Sequence, residues 1–238
     1  MLGSIPRLAT ITNSVDYGAV FVYHYIDMAK LTKQNREKVI KIMLKEYKGA
    51  KCALDYDTNF HLLVAVVLSA QTTDVAVNKI SSALFKAAPD ALSMSKMKQS
   101  ELEKYIRSIG LYKNKAKNIL VLSKELVNNY DGEVPGDFDA LVGLPGVGRK
   151  TANVVLAEVF GKQAIAVDTH VFRLANRIGF VATDNPIDTE LGLQKVIEEK
   201  NWTKMHHALI WHGRRVCMSR NPNCEECCIK DFCKKNIK

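Results

Sequence analysis

The chain has 238 residues, 47% of them apolar, which is enough to bury one large core or two modest ones. Lys and Arg outnumber Asp and Glu by 34 to 25, a formal charge of +9 that points to a polyanionic partner, most commonly nucleic acid. The longest apolar run, Leu62 to Leu68, is far short of the roughly 20 residues of a membrane span, so no membrane association is expected.

In chain order, residues 1–30 lack a basic region followed by an apolar block and cleavage site. They are expected to form a loosely structured N-terminal extension. Residues 36–47 set Val39, Ile40, Met43, Leu44 and Tyr47 at helical spacing. Residues 60–69 are apolar nearly all round, which predicts a buried helix. Residues 74–87 carry Val77, Ile80, Leu84 and Phe85 on one face, and Pro89 ends them. Ser100-Glu-Leu-Glu103 reads as a capping box, and Gly110 as the C-terminal cap of the helix it opens. Helices are then expected over 114–130 and 137–143, with the turn Asp131-Gly-Glu-Val-Pro-Gly136 between them. Leu144-Pro-Gly-Val-Gly148 is a glycine turn leading into a helix over 150–160. A short extended crossing, Gln163 to Val167, precedes a helix over 169–178 that Gly179 stops. Helices over 188–200 and 202–216 complete the pattern. No alternating strand pattern or internal repeat is present, so the fold class is all-α.

Three stretches carry chemistry. In Leu144-Pro-Gly-Val-Gly-Arg-Lys-Thr-Ala152, Gly146 and Gly148 suit a turn whose N–H groups form an anion-binding concavity, reinforced by the start of the next helix. Lys150 emerges beside that spot. In Val167-Asp-Thr-His-Val-Phe-Arg173, Asp168 is an N-cap, and a carboxylate there can also stabilise a cationic reaction centre. In the tail, Cys217-x6-Cys224-x2-Cys227-x5-Cys233 brings four thiols together, for zinc or for an iron–sulfur cluster. Crowding of cysteines at one end argues against a secreted disulfide framework. Cys228 falls outside the spacing, and Cys52 reads as an ordinary buried thiol. His206, His207 and His212 read as packing or surface residues.

These motifs resemble the endonuclease III family of helix-hairpin-helix DNA glycosylases. The likeness rests on the glycine turn with Lys150, on Val167-Asp-Thr-His170 eighteen residues after that lysine, and on the cysteine tail. Leu68-Ser-Ala-Gln-Thr-Thr-Asp74 also resembles a family segment, and the match covers about residues 31–238. The resemblance implies two helical domains with the site in the cleft between them: a central barrel-like domain over 52–162, and a discontinuous cluster domain of 31–51 with 163–238. It implies a monomeric bifunctional DNA glycosylase and abasic-site lyase of base excision repair, acting on duplex DNA that contains oxidised pyrimidines or abasic sites. Lys150 is then the nucleophile and Asp168 its partner. Cys217, Cys224, Cys227 and Cys233 hold a [4Fe–4S] cluster that shapes a basic loop. Gln71 enters the gap left by the flipped base and Leu111 wedges beside it. Arg149, Arg173 and the amides of Gly146 and Gly148 contact phosphates, and His170 supports the site. Monofunctional adenine glycosylases of the superfamily lack the lysine. The competing readings are a monofunctional glycosylase for adenine or alkylated bases, and a non-catalytic zinc DNA-binding module. The expected location is the cytoplasm with the nucleoid in a prokaryote, or the nucleus or mitochondrion in a eukaryote.

Overall fold

The computed structural model describes residues 30–237, so the expected extension over 1–30 lies almost wholly outside the described residues. The described chain is helical: α1 (Lys33–Glu46), α2 (Asn59–Leu68), α3 (Asp74–Ala87), α4 (Ala91–Lys96), α5 (Gln99–Ile106), α6 (Tyr112–Asn129), α7 (Phe138–Gly143), α8 (Arg149–Phe160), α9 (Thr169–Ile178), α10 (Pro186–Val196) and α11 (Trp202–Arg215). A 3₁₀ turn, Glu199–Asn201, separates α10 from α11, where the pattern predicted one helix running to residue 200. Many of the starts are set by short polar side chains that accept a backbone N–H: Thr32, Thr58, Thr73, Asp90, Asp137, Asp168 and Asn185.

The apolar run becomes α2, with every residue from Phe60 to Leu68 buried. It is the axis of a first core, with α3, α6 and α8 packed around it. Truncating Leu63 there is expected to cost about 2–5 kcal/mol through lost burial and the cavity left behind. A second core gathers Val39 and Met43 of α1, Val171, Leu174 and Ile178 of α9, and Met205 and Leu209 of α11. The chain leaves this second core after α1 and returns to it through residues 161–168. There Ala164 to Val167 are buried in an irregular segment with no strand partner among the described residues.

Two expectations are corrected. Ser100 caps nothing: α5 starts earlier, at Gln99, after Lys98, which makes no side-chain cap. Burial of Leu102 and Ile106 fixes that helix's register, and packing outranks the capping pattern. Nor is Gly110 a left-handed cap. The left-handed residue is Leu111, at φ 57°, immediately before α6. The real capping box is Asp90 with Ser93, opening α4, a helix too short for its periodicity to stand out.

Ion pairs and a hydrogen bond stitch the two cores together. Glu158 of α8 meets His207 of α11 at 2.6 Å, and Asp74 of α3 meets Arg214 of α11 at 2.7 Å. Arg149, at the start of α8, forks onto Glu190 of α10, Nε to Oε2 at 2.9 Å and Nη2 to Oε1 at 2.7 Å. The Glu190 side chain is 4% exposed and Arg149 is 42% exposed, so the carboxylate is the member that cannot stand alone. Arg149→Ala is expected to lower stability by about 2 kcal/mol, because it strands a buried charge. Adding Glu190→Gln removes that charge and is expected to recover part of the loss. Urea unfolding of the single and double variants checks this, and no recovery would contradict it.

Candidate functional site

The glycine turn joins α7 to α8. Leu144 and Val147 are buried and close the turn, with Val147 N donating to Leu144 O at 3.1 Å. The two glycines differ in their reasons. Gly146 has φ +81°, and a Cβ there would meet the Asn118 side chain at 3.0 Å, so both conformation and space demand glycine. Gly148 is extended, at φ −96°, and a Cβ on it would meet nothing within 4 Å. It leaves open space in front of α8. That helix has no side-chain cap and no acid in its first turn. Its first N–H groups therefore remain open donors at the positive end of the helix.

Lys150 is the second residue of α8 and is exposed. Asp168 caps α9, with Oδ1 accepting from Val171 N at 2.8 Å. Among the described residues no donor reaches its other oxygen. The structure brings the two residues together: both line an open cleft of about 740 Å³ with Gln71, Thr72, His170 and Arg214. Both also line a deeper pocket of about 70 Å³ with Cys52, His206, His207 and Trp211. Burial, with smaller contributions from His207 and Lys150, pushes His206 down to about 3, so this ring is neutral and adds no charge beneath the amine. Burial likewise pushes the Cys52 thiol up to about 11, which leaves it no competing nucleophile.

His170 lies in the cleft wall. Burial lowers its pKa despite the opposing Asp168. Arg173 Nη2 lies 3.2 Å from its Nδ1, which must then be the acceptor of a neutral ring. Arg173 also holds the backbone in place. Its Nη2 donates to Gly213 O and Cys217 O, both at 3.0 Å, and ties α9 to the end of α11. Arg149 has one edge committed to Glu190 and its guanidinium over the Phe138 ring. Gln71 and Leu111 are exposed in two adjacent loops, each with a left-handed backbone, φ 53° and 57°. Sequence reasoning missed Glu158 and Glu190, and the pairing of Asp74 with Arg214. Their signal is long-range pairing, which no local pattern carries.

In the tail, Cys217, Cys224, Cys227 and Cys233 ring one cavity with Ile178, Val216 and Ile229, while Cys228 is exposed and outside it. Among the described residues, no three His, Cys, Asp or Glu side chains converge as a single-ion site does. Four soft thiolates around one cavity suit either a zinc ion or an iron–sulfur cluster. The surroundings fit a negative group: Arg177 Nη1 lies 3.8 Å from Cys217 Sγ, Lys235 N lies 3.3 Å from Cys233 Sγ, and His212 Nε2 lies 3.5 Å from Cys227 Sγ. His212 is in turn held by Tyr47 OH at 2.7 Å.

Comparison with known proteins agrees with this geometry. Residues 64–199 match the HhH-GPD superfamily of base excision DNA repair proteins, and residues 217–233 match the iron–sulfur binding domain of endonuclease III. Endonuclease III of Rickettsia conorii is 49% identical over 196 residues, covering 82% of this chain and 93% of that protein. A solved non-covalent endonuclease III–DNA complex superposes with a TM-score of 0.83 at 45% identity, covering 86% of this chain and 96% of that one. A trapped endonuclease III–DNA covalent intermediate does so equally well, covering 86% and 97%. The cysteine tail therefore carries a [4Fe–4S] cluster, and no helix among the described residues is long and apolar enough to cross a membrane. With helical fold, hairpin and cysteine tail all matched, the chain belongs to the endonuclease III family of base excision repair DNA glycosylases.

Proposed function

We propose that the chain is a bifunctional DNA glycosylase and abasic-site lyase that removes oxidised pyrimidines from duplex DNA. One observation carries this reading: an exposed lysine and a helix-capping carboxylate line the same cleft from opposite sides of the junction between the cores. A related endonuclease III has been trapped in a covalent intermediate with DNA, which supports an amine nucleophile here. We also propose that the cleft separates a domain over 52–162 from one made of 31–51 and 163–238.

In this reading the target nucleotide leaves the stack and its sugar enters the cleft. The neutral Lys150 Nζ attacks C1′, the C1′–N bond to the base breaks, and the base leaves with the electron pair. Asp168 Oδ2 faces the cationic sugar or takes the proton that the amine loses. The C1′–O4′ bond then breaks, O4′ takes up a proton, and the ring-opened sugar is held by Lys150 as a protonated imine that acidifies the 2′ proton. Its loss expels the 3′ phosphate by β-elimination, and water then releases the unsaturated sugar from Lys150. The open N–H groups after Gly146 and Gly148 take a phosphate of the damaged strand. Gln71 and Leu111 enter the duplex, and His170 lines the sugar pocket. When bound by its four cysteines, the cluster supplies structure rather than redox turnover, holding the tail with Arg220, Lys230 and Lys234 near the DNA backbone.

Two outcomes are expected. Borohydride with a duplex holding one abasic site traps a covalent protein–DNA adduct, and Lys150→Ala lowers its formation at least about a thousandfold. An adduct that forms equally well in that variant overturns the reading. Asp168→Asn keeps the cap, since Asn serves as well as Asp there, but removes the charge. It is expected to cut excision of thymine glycol by about a hundredfold with DNA binding within about threefold. Excision within about threefold of wild type in the folded variant would overturn this role for the Asp168 charge.

A further inference from the structure

Lys115 of α6 is a buried lysine, 5% exposed, with no carboxylate among its partners. Its Nζ donates to the Leu68 carbonyl at 2.9 Å and to Thr72 Oγ1 at 2.8 Å. Leu68 is the last residue of α2, the fully buried axis of the first core. The carbonyls of Ala65, Val66 and Val67 accept from Ser69 N and Ala70 N, and the Leu68 carbonyl receives the ammonium. A cation at a helix C-terminus is favoured by the helix dipole.

Leu68 and Thr72 flank Gln71. The Thr72 hydroxyl passes the contact on, donating to the Ala70 carbonyl at 3.3 Å. One ammonium thus reaches both sides of a non-glycine residue held at φ 53°. The backbone N–H of the same lysine donates to the Leu111 carbonyl at 3.0 Å, one turn back, where φ is 57°. Left-handed backbone at such residues costs on the order of 1–3 kcal/mol and persists only where the surroundings impose it. Burial lowers the pKa of Lys115. A methionine would fill the same space without that penalty, so what the ammonium adds is its two hydrogen bonds to Leu68 O and Thr72 Oγ1.

We propose that Lys115 is a positioning residue that locks the Gln71 loop and the Leu111 turn into one rigid unit, so that both side chains enter the duplex together. This rests on the reading that Gln71 and Leu111 insert into DNA. The lysine touches no reacting atom.

The test compares two substrates under single-turnover conditions. One is thymine glycol in an intact duplex. The other is the same lesion opposite a two-nucleotide gap, where no stacked base has to be displaced. Lys115→Met is expected to slow excision from the intact duplex by about tenfold and from the gapped duplex by less than about threefold. The fluorescence rise of 2-aminopurine placed opposite the lesion is expected to fall in parallel. Should Lys115→Met fail to fold, judged by thermal unfolding and visible cluster absorbance, Thr72→Val removes only the hydroxyl and is expected to give the same duplex-selective loss, about threefold. Equal slowing on both substrates, or wild-type rates in a folded variant, overturns the proposal. Gln71→Ala and Leu111→Ala report separately on the underlying reading. If neither slows excision from the intact duplex, insertion itself is wrong, whatever Lys115 does.

Discussion

Everything at the site depends on holding two separately packed cores in one fixed relation. Lys150 belongs to a helix anchored in the first core, and Asp168 caps a helix of the second. Neither core alone presents both groups. The ion pairs Arg149 with Glu190 and Asp74 with Arg214, and the hydrogen bond between Glu158 and His207, cross the junction and set their relation. Their value is geometric. A buried ion pair adds little net stability over apolar packing, but it penalises any arrangement that parts the two charges.

The helix starts divide the labour. Several are closed by Thr, Asp or Asn side chains, whereas α8 begins at a bare glycine with open N–H groups. With glycine at the cap, leaving that end without a side-chain acceptor forgoes only about a few tenths of a kcal/mol. The compensation is an electropositive cradle next to Lys150. At α9 the cap is an aspartate with one oxygen committed to the backbone, so a single residue starts a helix and contributes a carboxylate to the cleft. The neutral His170 and His206 keep further positive charge away from the amine.

Legibility in the sequence follows the range of the interactions. The helices over 74–87 and 169–178, the latter with its aspartate start and glycine stop, follow from local rules and agree with the structure. The all-α class and the gathering of four cysteines are also local signals. Ser100 and Gly110 mislead because burial of Leu102 and Ile106 sets the register of α5 and because Leu111 takes the left-handed turn. Arg173 looks like a surface cation on a helix, yet its neighbours across the chain are Gly213 and Cys217. Glu190 and Lys115 look like ordinary charged positions on amphipathic helices. Their partners lie 41 to 47 residues away, and pairing at that distance leaves no mark on the local pattern.

The central claim is that one particular amine bonds to the deoxyribose. The most direct measurement is tandem mass spectrometry of the peptides released from a borohydride-reduced protein–DNA adduct. The account predicts the residual sugar mass on Lys150 alone. Its recovery on Lys51, which lines the same deep pocket, or on any other amine would contradict it.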